Sequence, residues 1–89
     1  MQRVGVIRGE GTVLAGERTF ENVRYELEVI ERNSRRTVNK GAIDASRDLR
    51  VSVRDAGGAY IELAGGLGWF GFEMTDVDGG GIQILGPAR

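Results

Sequence analysis

Cysteine and histidine are both absent from this chain. The first absence rules out disulfides and thiolate metal sites and favours a reducing, cytoplasmic setting. The second removes the usual general base and imidazole ligand, so most acid–base chemistry and most transition-metal sites lose their ordinary participants. No apolar run approaches the ~20 residues that span a bilayer. The opening MQRVGVIRGEG also lacks the apolar stretch of a signal peptide. The chain therefore reads as soluble and cytoplasmic, with no membrane segment. Its 89 residues give room for one small domain, 1–89, close to the lower size limit for folding without staples.

Proline occurs once, whereas glycine occurs fifteen times, spread without a repeat. Glycines so placed punctuate turns, and with Val and Ile in alternating runs they favour short strands over helices. The twelve basic residues are eleven arginines and Lys40. Charge is uneven along the chain. Residues 1–54 carry eleven basic and eight acidic side chains, against one and five in 55–89.

The clearest periodicity is NVRYELEV, where Val23, Tyr25, Leu27 and Val29 alternate with polar residues as in a half-buried strand. The same period recurs in LRVSVR, YIEL, FGFEM and IQI. It predicts a C-terminal four-strand meander over 49–54, 59–64, 69–76 and 80–85. Turn residues agree on one inner face. With Gly57 as the left-handed residue of a three-residue loop, Val53 pairs with Ala59 and Leu49 with Leu63, and Arg50 faces Glu62. A loop over 65–68 pairs Leu63 with Phe70 and Ile61 with Phe72. A loop at Val77-Asp78-Gly79 pairs Met74 with Ile82 and Phe72 with Ile84. The N-terminal half offers RVGVIR, GTVLA with its inward face open, and a long strand from about Phe20 to Glu31. The segment 32–48 reads as a loop with a short strand or one helical turn. The expected fold is all-β: a small antiparallel β-barrel or rolled sheet of about seven short strands.

Two glycine-rich stretches imitate ligand motifs. GLGWFG, from Gly66 to Gly71, spells G-x-G-x-x-G, but a strand follows it where a dinucleotide fingerprint needs a helix, and too little chain remains for a βαβ unit. DVDGGG, from Asp76 to Gly81, opens like a calcium loop and fails at its fifth position, Gly80, and its twelfth, Pro87. Both read as hairpin turns. No metal, cofactor or catalytic grouping is implied, and the carboxylates sit at turns or on polar strand faces.

Two surfaces remain. Trp69, Leu85 and Pro87 form an apolar corner on the outer face of the meander, unless the sheet closes so that Trp69 is core. Such a corner suits a homo-oligomer or protein partner. In the basic stretch, Arg32, Arg35, Arg36, Lys40, Arg47, Arg50 and Arg54 outnumber Asp44 and Asp48 by five. With Tyr60 as a stacking platform beside Trp69, that stretch suits an oligonucleotide-binding barrel. The first surface leads to a non-catalytic interaction or structural module that self-associates or binds a protein. The alternative is nucleic-acid binding through Arg32, Arg35, Arg36, Lys40, Arg47 and Tyr60.

Overall fold

The computed structural model describes residues 2–76 and 79–87. Three long strands come first: β1 (Gln2–Ala15), β2 (Arg18–Arg32) and β3 (Arg35–Ile43). A helix, α1 (Arg47–Ala56), leads to three short ones: β4 (Ala59–Leu63), β5 (Gly68–Met74) and β6 (Gly81–Pro87). They close a barrel in the order β1-β2-β3-β6-β5-β4. Every neighbouring pair is antiparallel. The chain is thus two three-stranded meanders joined by a helix and zipped together at two seams, β1–β4 and β3–β6. Closure pairs the edges of the two meanders at these seams and leaves the rest of β1 and β3 without a second neighbour among the described residues.

Alternation fills the interior. Val13 and Ala15, Val23, Tyr25 and Leu27, Ile43, Ala59, Ile61 and Leu63, Phe72, and Ile82 and Ile84 point inward from the six strands. Leu49 and Val53 reach in from α1 and plug one end. On β2 the expected alternation ends beyond Leu27: Val29 is half-buried and its neighbour Ile30 is buried. Opposite Glu28, a register shift places an extra residue in β3.

LRVSVR, expected as the first meander strand, is helical. Leu49 and Val53 are four residues apart, a spacing that satisfies a helix face as well as a strand face, and the ends decide between them. Ser46 is the N-cap, its Oγ accepting the Leu49 N–H at 3.1 Å. Asp48 lies in the first turn and Arg54 in the last, each suited to the helix dipole. Gly57 is left-handed (φ 72°). Its N–H and that of Gly58 donate to Arg54 and Val53 carbonyls in a Schellman closure. The left-handed glycine expected of a hairpin is therefore a helix stop. The meander keeps three strands, the Arg50–Glu62 pair does not form, and Arg50 instead donates to the Ala45 carbonyl at 2.8 Å.

Three smaller differences follow from strand lengths and register. RVGVIR and GTVLA run on as one strand, β1, giving six strands among the described residues in place of about seven. The 32–48 segment holds all of β3, the N-cap Ser46 and the first two residues of α1. On β4–β5, Leu63 pairs with Gly68 and Ile61 with Phe70, two residues from the expected register. A shift of two preserves every inward side chain, because the side-chain period is two. On β5–β6, Met74 faces Ile82 and Phe72 faces Ile84 as expected. The turn between them includes Val77 and Asp78, which lie outside the described residues.

The two meanders differ in reach. β1 meets β4 only over Thr12–Leu14, and β3 meets β6 only over Lys40–Ala42. Beyond those seams β1, β2 and β3 continue as a three-stranded tongue ending in the Asn33-Ser34 turn, which fits the elongated outline of 37 × 25 × 20 Å. At the root of the tongue the Tyr25 ring lies against Gly9 and Gly11, and its hydroxyl accepts the Ala64 N–H at 2.9 Å, tying β2 to the β4–β5 loop. At the helix end Arg18 pairs with Asp48, and this guanidinium holds the Asp48 carboxyl below its ordinary range.

Candidate interaction surface

Outward-facing residues of four consecutive strands line up across the barrel wall. Leu14 on β1 is opposite Tyr60 on β4, Tyr60 is opposite Gly71 on β5, and Gly71 is opposite Gly86 on β6. A register shift after Gly71 leaves Leu85 as an extra residue on β6. A Cβ placed on Gly71 would lie 3.8 Å from the Tyr60 ring and 3.9 Å from the Leu85 Cβ. The bare glycine backbone is thus the floor of a slot whose walls are Tyr60 and Leu85.

The end of α1, from Ala56 to Gly58, closes this slot into a groove of about 450 Å³ in which no charged side chain takes part. Tyr60 is 53% and Leu85 62% exposed, high values for large side chains with apolar bodies. Trp69 stands two residues before Gly71 on the same outer face, opposite Glu62 and half-buried. It is outside the core cluster. Pro87 is exposed, but it pairs with inward-facing Phe70 and takes no part in the groove. The structure therefore brings Leu85 together with Tyr60, places Trp69 next to them on β5, leaves Pro87 out, and adds Leu14. Leu14 is invisible in the sequence because its neighbour Tyr60 comes from the other meander.

The basic stretch is not gathered in one place. Arg32 and Arg35 flank the turn at the tip of the tongue, and Arg36 pairs with Glu31 at 3.5 Å. Lys40 lies at the β3–β6 seam opposite Gln83, and Arg47 opens α1. The nine residues of β3 separate the tip from the helix, roughly 30 Å of extended chain. Tyr60 belongs to the apolar row. At the tip itself Arg32 and Arg35 are directly opposed, a like-charge pair that costs stability. Asn33 (φ 53°) and Ser34 (φ 62°) make the two-residue turn with both centres left-handed. Arg35→Glu is therefore expected to raise stability by about 0.5 kcal/mol, read as a higher urea midpoint; an unchanged or lower midpoint would mean that the two guanidiniums do not oppose each other.

Other groups explain themselves locally. The Asp76 carboxylate accepts the Gly79 N–H at 2.8 Å, a turn-closing role for the first residue of the calcium-like stretch. Among the described residues no three acidic side chains converge as metal ligands. No helix among them is long and apolar enough to cross a membrane. Comparison with protein-family models, with characterised proteins and with solved structures finds no match to this chain.

Proposed function

We propose that this protein is a non-catalytic, cytoplasmic interaction module that self-associates through the Leu14–Tyr60–Leu85 groove. The observation that carries the reading is an exposed groove with no charged wall, built by four strands and the end of a helix. Water-facing polar surface would do for a barrel wall that had no partner. A patch of this kind gains free energy when covered, at ~25 cal/mol for each Å² of apolar area removed from water. Small domains use such contacts to supplement a limited core. A second copy offers the same uncharged groove, so an isologous contact buries no unpaired charge.

Trp69 reports on this contact because it borders the groove and is the only tryptophan. On dilution its emission is expected to shift to the red as the covering copy departs, and Leu85→Glu is expected to show the diluted spectrum at every concentration. An emission maximum that ignores both dilution and Leu85→Glu contradicts the reading.

A second reading, nucleic-acid binding, rests on one observation: the opposed Arg32 and Arg35 at the tip of the tongue, held side by side against their own repulsion. Two guanidiniums so placed can straddle a phosphate. Oligonucleotide binding that weakens with salt and disappears in an Arg32→Ala, Arg35→Ala double variant would establish it. Binding that survives the double variant would remove the tip from consideration.

A further inference from the structure

β1 has one side fully used and the other mostly open. It pairs with β2 along its length from Gln2 to Ala15 but with β4 only over Thr12–Leu14. From Arg3 to Gly9 no described strand lies on the second side, and no backbone hydrogen bond from a loop reaches it. Its outward N–H and C=O groups form a template for another strand.

Proteins usually guard such an edge with lysine, proline or charges held over it. The run Arg3–Gly9 holds neither lysine nor proline; its one charge without a partner among the described residues, Arg3, and its one bulge, at Val4, lie at the outer end, and Gly5–Gly9 is regular. Arg8 is drawn across β2 to Glu26 at 3.1 Å, and Glu10 just beyond is drawn to Arg24 at 3.5 Å, so both charges turn toward their own sheet. Gly5 leaves the backbone bare, and Val4 is 40% exposed. The open edge of β3 differs: it runs only from Arg35 to Asn39 and opens on two arginines.

We infer that the Arg3–Gly9 edge of β1 pairs antiparallel with the same edge of a second copy, centred on Val6. A two-fold axis perpendicular to the sheet keeps each side chain on its own face, so it can only oppose residues whose numbers sum to an even value. Centred on Val6, the axis sets Val6 against Val6 and Ile7 against Gly5 of the second copy, a large side chain beside a bare backbone. The paired stretch, Arg3–Gly9 of each copy, lies clear of Thr12, where β4 occupies the edge. Centred on Gly5, two glycines would face each other; centred on Arg8, two arginines would.

This contact uses a different part of the molecule from the groove, so it extends the self-association proposed above without depending on that surface. One copy with both contacts can hold two neighbours, and the wild-type protein assembles beyond a dimer.

Light scattering on wild type, Leu85→Glu, Val6→Lys and the double variant separates the two contacts. Val6 is opposite Glu28 in its own sheet, so Val6→Lys gains a cross-strand partner within one chain while opposing a second lysine across the axis. Both single variants are expected to stop at the dimer mass, and the double variant at half of it. Gly5→Lys, whose added Cβ meets nothing within 4 Å, is expected to repeat the Val6→Lys result with an unaltered circular dichroism spectrum. A monomeric Leu85→Glu protein, or a Val6→Lys protein that assembles like wild type, would overturn the edge contact and leave the groove standing. A Val6→Lys protein that is already monomeric would keep the edge and remove the groove. A monomeric wild type would overturn both.

Discussion

Phe72→Ala is expected to destabilise the barrel by ~3–5 kcal/mol, the range for emptying a buried aromatic position. A domain of this size holds on the order of 5–10 kcal/mol in all, so the variant is left near the threshold of folding at ambient temperature. Phe72 is fully buried, on β5 between Ala59 of β4 and Ile84 of β6. The cost lies at the upper end because the neighbours cannot collapse into the space: Ala59 is too short, and the closed ring of strands fixes the spacing of the walls. Urea denaturation followed by circular dichroism measures it. Leu67→Ala in the exposed β4–β5 loop is expected to stay within ~0.5 kcal/mol of wild type. A Phe72→Ala loss as small as that would mean that the interior is not packed around this ring.

The second large effect lies at the seams. Gly11 stands where β1 joins β4, and a Cβ there would drive into the Glu62 carbonyl. Gly80 leads into β6 beside β3, and a Cβ there would drive into the Ile43 carbonyl, while the Gly80 carbonyl itself accepts the Ile43 N–H at 2.7 Å. Overpacking against side chains costs ~1–3 kcal/mol because rotamers adjust; a backbone carbonyl held in a strand has no such freedom. Gly11→Ala and Gly80→Ala are each expected to cost ~3 kcal/mol or more, seen as an early or lost unfolding transition. Gly5→Ala meets nothing within 4 Å and is expected to be neutral or slightly stabilising. Equal behaviour of the three variants would show that the strands do not close as described.

The strands were legible in the sequence because period two and tight turns are local signals. NVRYELEV and the YIEL, FGFEM and IQI runs declare their faces residue by residue, and a register error of two between β4 and β5 left those faces intact. LRVSVR misled because Leu49, Val51 and Val53 alternate like a strand while Leu49 and Val53 alone carry the helix face. Ser46 and Gly57 were the deciding signals, and Gly57 is left-handed in either reading. The Asn33-Ser34 hairpin was missed because neither central residue is glycine, although both are left-handed. The groove was half visible. Leu85 could be placed on the outer face from β6 alone, but its neighbour Tyr60 and the opposite wall at Leu14 depend on the closing β1–β4 seam, a contact between distant parts of the chain. The scattered arginines show the converse, since sequence proximity across 32–54 becomes separation along β3 and α1.

Copies of this chain are proposed to meet through the Leu14–Tyr60–Leu85 groove. The most direct measurement is the amide spectrum of the isotopically labelled protein in solution as a function of its concentration. Leu14, Tyr60, Gly71 and Leu85 line the groove together, so their resonances are predicted to move with concentration in wild type and in Leu85→Val and to stay fixed in Leu85→Glu. Groove resonances that hold still from micromolar to millimolar protein and coincide with those of Leu85→Glu outside the substituted residue would contradict the account, because a surface covered by a second copy cannot share the environment of one that is bare.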